Sequence, residues 1–425
     1  MAGAATPQAN QVAAHLAETP RQLEVLRIIR EHGVITRAEI ALLLRASASQ
    51  ASRLTAPLIK RRVVTVEPRL PYVEGRPTEL LTLAELGHYV VGLDIGGMAQ
   101  DAVVANLRGT VVGAARAVGP LPDSRSRIVD QLVELVELAI ADAGVPDDEI
   151  LGVGVGVRAI VDPVSGVISA GPETPSWSPI WADFDLRHLL AEALPWSNLV
   201  VDDTVRALAA AERRYGDARG VDNFVYLLAD SGIGATLMID GRPYIGPSHL
   251  AGEVGHITLD GEGPVCGCGR RGCVEMYAST SSMIARGQAF DPSIDSIEQL
   301  IECADAGSDV CRQILASGGT ALGRAIAIVL NLLSPALVVI RGRATASNVY
   351  MAHAKTSAQS ESLAQPFRSA RIVSSAIELN AGAQGAATLI LDELFDSTGP
   401  TGPRGTSPRK SPPKVADIEQ EGAVR

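Results

Sequence analysis

Four metal-ligating side chains within eighteen residues constrain this chain more tightly than any other feature. His256, Cys266, Cys268 and Cys273 sit in GHITLDGEGPVCGCGRRGCVE, with the spacing H-x9-C-x-C-x4-C. Three thiolates and one imidazole make a complete tetrahedral set for zinc. A closed set of protein ligands implies a structural ion, with no position left open for chemistry. The glycines between the ligands let the backbone fold tightly around a metal, and Arg270 and Arg271 offset thiolate charge. The competing reading is three reduced structural cysteines beside an unrelated histidine. It requires four ligands of metal-binding type to cluster this closely by chance. Cys303 and Cys311 stand outside the cluster and are expected as helix-packing thiols.

Composition bounds the rest. At 425 residues the chain exceeds one typical domain. Five cysteines are too few and too clustered for a disulfide framework in a chain this long. The first residues lack a basic start followed by an apolar run, and no apolar stretch of about eighteen residues escapes charge or glycine breaks. No membrane partner and a reducing cytoplasm are therefore expected. An aromatic content of 4% argues against a nucleic-acid surface built on base stacking. The net charge of −11 hides an uneven distribution. From Glu18 to Glu85 there are 11 basic and 8 acidic residues, and within Arg45–Arg76 there are 7 and 2. A basic head on an acidic body suits a chain that approaches phosphate with one end alone.

Residues 18–85 read as three helices and a hairpin. Leu23, Leu26 and Ile29 share a helix face, with Gly33 as the stop. Thr36 with Glu39 and Ser47 with Gln50 form two capping boxes, opening helices that run to Leu44 and towards Lys60. Two short helices across a tight connection make a helix-turn-helix candidate. Val63–Val66 and Glu79–Leu83 alternate as paired strands about Pro71–Pro77, forming a wing. The second helix of such a unit places its first turns in the major groove of double-stranded DNA. Ser47, Ser49, Gln50, Ser52 and Arg53 are the candidates there, and Lys60, Arg61 and Arg62 suit backbone phosphates. Gln50 has a competing role as the capping partner of Ser47. Pro57 removes a backbone donor and is expected to kink or shorten the helix.

After His88 the pattern changes. Apolar strands at Tyr89–Gly97 and Ile150–Val157 flank a hairpin about Arg108-Gly109 and a helix over Arg125–Ala143. Phe224–Ala229, Ala235–Ile239 and the Asp240-Gly241 turn repeat the idea, and a long helix over Asp309–Leu333 leads into a strand at Ala336–Ile340. Two strand–hairpin–helix lobes imply a two-lobed α/β fold with a cleft between them. Residues 1–17 read as a disordered arm, residues 86–397 as the two-lobed body, and the proline-rich residues 398–425 as a disordered tail.

The zinc segment, the preceding AGEVGH (Ala251–His256) and the glycine-ended GLDIGG (Gly92–Gly97) together resemble the ROK family of repressors, open reading frames and sugar kinases. With the head included, the chain is similar to the family's transcriptional regulators of the xylose and N-acetylglucosamine repressor type. The resemblance implies a winged helix-turn-helix followed by an actin-like, ribonuclease-H-like ATPase fold, assembled as a homodimer or homotetramer. It also implies a DNA operator and a small-molecule effector, a sugar or sugar derivative, as partners. Gly75-Arg76-Pro77 resembles the family's basic wing, with Arg76 entering the minor groove.

The same resemblance separates a kinase from a regulator. After Asp94-Ile95-Gly96-Gly97 the family's phosphate-facing hydroxyl is replaced by Met98, and the adenosine-side glycine run reads Arg341-Gly342-Arg343. Ser231-Gly232-Ile233-Gly234 keeps part of the second glycine loop. At the catalytic segment Asp203 stands where the family has Asn, and Thr204 where it has the base Asp; a one-residue shift would let Asp203 act instead. Of the family's sugar contacts, Glu253, His256 and Glu275 match, while Glu173 replaces an Asn and Arg158-Ala159-Ile160 replaces a P-G-P turn. Glu173, Asp203, Glu253, His256 and Glu275 are thus the candidate ligand contacts, and no residue is assigned a catalytic role. The expectation is a repressor of carbohydrate-related genes. A kinase with an accessory head and a metal-stabilised scaffold are the alternatives.

Overall fold

A computed structural model describes residues 16–67, 79–96, 99–169, 181, 184–377 and 380–395. The wing tip with Arg76, Met98, Glu173, residues 1–15 of the N-terminal arm and the C-terminal tail lie outside these residues. The disordered arm expected over residues 1–17 is corrected at its end: Leu16 and Ala17 are buried, because their apolar side chains join the core of the head.

The N-terminal unit begins with α1 (Pro20–His32), capped by the Thr19 side chain at its start and by Gly33 at its end. The short β1 (Ile35–Thr36) follows, then α2 (Arg37–Leu43) and α3 (Ala48–Lys60). Both capping boxes form: the Thr36 hydroxyl accepts from the Glu39 amide, and the Ser47 hydroxyl from the Gln50 amide. The helix α3 runs through Pro57 to Lys60. β2 (Val64–Glu67) and β3 (Leu80–Leu83) pair antiparallel, and β1 adds to β3 to complete a three-stranded sheet.

The first lobe holds β4 (Tyr89–Ile95), β5 (Ala99–Asn106), β6 (Val111–Val118), α4 (Arg125–Ala143) and β7 (Ile150–Val157). A small ribbon of β8 (Ile160–Val161) and β9 (Ile168–Ser169), then α5 (Leu186–Ala193), leads to β10 (Leu199–Asp203) and α6 (Thr204–Tyr215). The second lobe starts with β11 (Phe224–Ala229), β12 (Ile233–Ile239) and β13 (Arg242–Tyr244). Asp240 and Gly241 both take positive φ in the β12–β13 turn. The helices α7 (Glu275–Ala278), α8 (Thr280–Phe290), α9 (Ile297–Asp305) and α10 (Asp309–Leu333) come next. β14 (Leu337–Arg341), α11 (Asn348–Glu361), α12 (Ala364–Ser369) and β15 (Arg371–Ser374) complete the lobe, and α13 (Ala381–Phe395) returns to the first.

The two sheets have one topology. Their orders are β10-β7-β4-β5-β6 and β13-β12-β11-β14-β15. In each, the first three strands form an antiparallel meander, and the last two add in parallel on the other side of the first. Such a repeat is the actin-like, ribonuclease-H-like arrangement. Helix α10 is long and apolar enough to cross a membrane by length and composition, but 67% of its most apolar stretch is buried inside the protein. It packs as the central helix of the second lobe.

One cysteine expectation is corrected. Cys303 and Cys311 do pack at the α9–α10 corner, with Cys311 fully buried, yet they are joined as a disulfide. The turn at residues 306–308 folds the two helices back, so the Cα atoms lie 6.1 Å apart, within bridging range. A spacing of eight residues on one helix would have held them apart.

Helix α13 lies directly on the first sheet because glycines face it. A Cβ at Gly154 would meet the Ala386 carbonyl oxygen at 1.9 Å, and one at Gly92 the Ala383 carbonyl oxygen at 1.9 Å. Gly154→Ala is therefore expected to destabilise the chain by about 1–3 kcal/mol in urea unfolding, since backbone has to shift. Gly261→Ala, with nothing near its Cβ, stays within about 0.5 kcal/mol of wild type.

Candidate metal centre and interlobe cleft

The four ligand atoms of His256, Cys266, Cys268 and Cys273 lie within 4.8 Å of one another. Glycine turns bring them together: Gly269 and Gly272 take positive φ, and the Cys266 amide donates to the Arg270 carbonyl. Cys266 Sγ is 3.5 Å from His256 Nδ1, and Cys268 Sγ is 3.7 Å from Cys273 Sγ. Thiolates at about 2.3 Å from a shared tetrahedral ion stand roughly 3.7 Å apart, so the donor set fits zinc in both chemistry and spacing. His256 faces two ways. Its Nδ1 meets the sulfurs, while its Nε2 lies 3.8 Å from the Glu253 carboxylate.

Glu253 opens onto a narrow cleft between the lobes. Ala159, Ile160 and Asp203 line it from the first lobe, and Thr236, Tyr244 and His249 from the second. Asp203 is the N-cap of α6, its Oδ1 accepting from the Val205 and Arg206 amides at 2.8 and 3.2 Å. Burial, against the opposing Arg206 charge, raises the Asp203 carboxyl to about 6. Burial, then the Asp203 and Glu275 charges, raises Glu253 to about 7. Arg206 forms the floor: its Nε donates to Asp202 at 2.6 Å and its Nη2 to the Val161 carbonyl at 3.1 Å. Glu275 sits beside this group, accepting from the Ile233 amide at 3.0 Å.

The structure thus brings Asp203, Glu253, His256 and Glu275 together and leaves Glu173 outside the described residues. Arg206, Thr236, Tyr244 and His249 were not among the sequence candidates. Their signal is weak, since they come from a helix interior, a strand, a hairpin and a loop with no shared spacing.

Near the end of β4, Asp94 is half-buried and its Oδ1 accepts from the Thr204 hydroxyl at 3.0 Å. A Cβ at Gly382 would lie 2.1 Å from Asp94 Oδ2, so α13 closes over the carboxyl. Arg158 bridges the lobes, donating to the Ser231 hydroxyl at 2.6 Å. Arg343 pairs with Asp230 at 3.1 Å, and Arg341 donates to the Ile377 carbonyl.

At the head, Ser47, Ser49, Gln50, Ser52 and Arg53 are all exposed. The Gln50 side chain accepts from the Ser47 amide at 2.9 Å, so the capping role is the one it makes here. Arg61 pairs with Glu18 at 3.3 Å. The head is fastened to the body by α1 and α13. Arg30 meets Asp392 at 2.6 Å, donates to the Leu391 carbonyl at 3.1 Å and stacks 4.8 Å from the Phe395 ring centroid. Arg214, in the last turn of α6, donates to the Arg30 carbonyl at 3.4 Å and lies 3.6 Å from Asp392.

Residues 90–393 match the sequence profile of the ROK family. The chain belongs to the ROK family. The xylose repressor of Bacillus subtilis is 25% identical over 374 residues, covering 88% of this chain and 95% of that one. The xylose repressor of Caldicellulosiruptor bescii is 27% identical, over 76% and 83%. The DNA-binding transcriptional dual regulator NagC of Escherichia coli is 25% identical, over 76% and 80%. Among solved structures, a ROK family transcriptional regulator, a homolog of the E. coli MLC protein, superposes with a TM-score of 0.74. It is 24% identical and covers 89% of this chain and 96% of that one. The ROK hexokinase of Thermus thermophilus matches with a TM-score of 0.60 at 26% identity, over 71% and 97%. Its shorter span fits a body without a head.

Two outcomes follow from the site. Purified chain is expected to carry one zinc per protomer by elemental analysis. Cys273→Ser loses the metal and several degrees of thermal stability, whereas Cys303→Ser keeps the metal. Asp94 gives a pH effect. Burial raises its folded carboxyl to about 6 from an ordinary 3.8, so the folded chain holds a proton that the unfolded chain releases between these values. Its contribution to stability therefore falls as pH rises through that window, by at most about 1.4 kcal/mol per pH unit. Asp94→Asn removes the slope. It gains on wild type by up to about 3 kcal/mol between roughly pH 4 and pH 7 in urea melts; equal gains at both would refute this account.

Proposed function

We propose that the protein is a transcriptional repressor whose hold on a double-stranded DNA operator is set by a sugar or sugar derivative in the interlobe cleft, with no phosphoryl transfer. One observation carries the reading. Helix α6 begins at the cavity with Asp203 and Arg206 and ends at the head with Arg214, so one rigid element touches both ends of the device. A ligand drawing on Asp203 moves the N-terminal end of that rod, and the Arg30–Asp392–Arg214 cluster passes the movement to α1. Two heads in a homodimer then fit or miss half-sites about 34–36 Å apart.

The names of the similar repressors support the sugar class and the operator. The exposed Ser47, Ser49, Gln50, Ser52 and Arg53 on α3, with Arg76 on the wing, form the reading surface. Zinc holds the Glu253 side of the cleft through His256.

The absence of turnover rests on Thr204. A threonine cannot take a sugar hydroxyl's proton near neutral pH, and here its hydroxyl donates to Asp94. Losing a general base typically costs about 10²–10⁴-fold in rate. A kinase reading draws on one observation, that Asp203 lines the cavity with a raised carboxyl. ATP consumption with a hexose, abolished by Asp203→Ala, would establish that reading instead.

The test is operator binding by the full zinc-loaded chain. Arg53→Ala is expected to weaken specific binding about tenfold or more and lower the salt dependence, while folding and zinc content hold. A sugar that raises the melting temperature should also release the operator, and neither effect should survive chelation. Unchanged specific binding by both Arg53→Ala and Arg76→Ala would remove the assigned surface.

A further inference from the structure

The cavity has a second wall that the family resemblance does not assign. Glu253 and Asp203 form the acidic side. The lining also includes Thr236 on β12, Tyr244 on β13 and His249 in the loop that follows, with the Glu253 segment running alongside β12. Thr236 pairs with Tyr226 in the β11–β12 ladder. By the two-residue period it shares a strand face with Gly234 and Met238. A Cβ at Gly234 would touch Val205 at 3.4 Å, so this face looks onto α6 and the cavity.

Thr236 is only 2% exposed, and its Oγ1 has no hydrogen-bond partner among the described residues. Buried side-chain hydroxyls are nearly always paired, because an unpaired one loses its water and gains nothing. This one belongs to the lining of the interlobe cleft, whose other walls carry carboxyls, an imidazole and a phenol. A hydroxyl supplies one donor and two acceptor sites, so it can meet a ligand hydroxyl or an amide equally. His249, at a φ of 60°, closes the turn begun at Gly246 and adds an imidazole to the same lining.

We propose that Thr236 is a ligand contact and that Thr236, Tyr244 and His249 set specificity, selecting a neutral polyhydroxylated ring with a hydrogen-bonding substituent placed to meet the Thr236 hydroxyl. This deepens the sugar-sensing reading and rests on it. The acidic side grips vicinal hydroxyls of any such ring. Thr236, Tyr244 and His249 decide which ring is kept, because a ligand without a group there leaves the Thr236 hydroxyl unpaired in the complex as well.

The experiment uses the full zinc-loaded chain and three probes: D-xylose, D-glucose and N-acetyl-D-glucosamine. Melting temperature and calorimetric affinity are read for wild type, Thr236→Val and Thr236→Ser. Valine keeps the shape and breaks no protein hydrogen bond, so the ligand-free Thr236→Val protein is expected to melt at or above wild type. Its affinity for the responding sugar should fall about tenfold or more, with Thr236→Ser retaining it. A ligand-free Thr236→Val protein that melts lower shows a structural hydroxyl and overturns the inference. So does a Thr236→Val affinity within about twofold of wild type; the sugar-sensing reading then stands without it. If no probe shifts the zinc-loaded wild type, the sugar reading fails for this class and takes the inference with it. Should Thr236→Val fail to fold, Tyr244→Phe reads the same wall from an exposed position, where unchanged affinity and unchanged preference among the probes overturn the inference.

Discussion

The structure depends on how closely α13 approaches its neighbours. Its first half, Ala381-Gly382-Ala383-Gln384-Gly385-Ala386-Ala387, has almost no bulk, and it meets Gly92 and Gly154 on the sheet. Gly385 returns the favour on the other side, where a Cβ would strike the Ala207 carbonyl of α6 at 2.3 Å. Sheet, α13 and α6 therefore pack backbone against backbone. Close-packed layers of this kind have few intermediate positions, so they shift as units. The second half of the helix is bulky. Ile390, Leu391, Leu394 and Phe395 enter the same core as Leu26, Ile29 and Leu58 of the head. One helix thus closes over Asp94, supports α6 and anchors the head.

At that anchor the electrostatics favour definition over strength. Burial pulls the Arg30 guanidinium below its usual range, with Asp392 opposing the effect. The pair adds little net stability, because desolvation of the Arg30 charge offsets its attraction to the more exposed Asp392, whereas loss of Asp392 strands the guanidinium. Two arginines, Arg30 and Arg214, share the one Asp392 carboxylate. An arrangement with more cations than anions at the joint can be rebalanced by a small displacement of α6. That property suits a relay better than a permanent weld.

Much of this was legible in the sequence, for reasons that differ by residue. The Cys/His cluster that could hold a metal showed because its four side chains are close in sequence, and they come together in space. The two capping boxes showed because their partners are three residues apart, and both form. Strands β7 and β11 and helices α4 and α10 carry strong apolar patterns and appear at the expected residues. Helix α13 did not show. Its glycines, alanines and mixed apolar run have no polar face, so no 3.6-residue period marks it. The Cys303–Cys311 bond was hidden by a turn between helices, and the Thr236 wall by its origin in separate strands and a loop. Short-range chemistry was readable; long-range juxtaposition was not.

The cleft illustrates how a binding site outlives a reaction on the proposed reading. Catalysis requires groups that act more strongly on the transition state than on the bound ligand. On that reading Thr204 stands at the base position, and its hydroxyl is spent on Asp94. On the same reading the groups proposed to hold a ground-state polyol remain: Asp203 and Glu253 in the cleft, with Glu275 and His256 beside them. Binding energy no longer directed at a transition state is available to move α6. A sensor needs no more than that, provided the ligand prefers one position of the rod over the other.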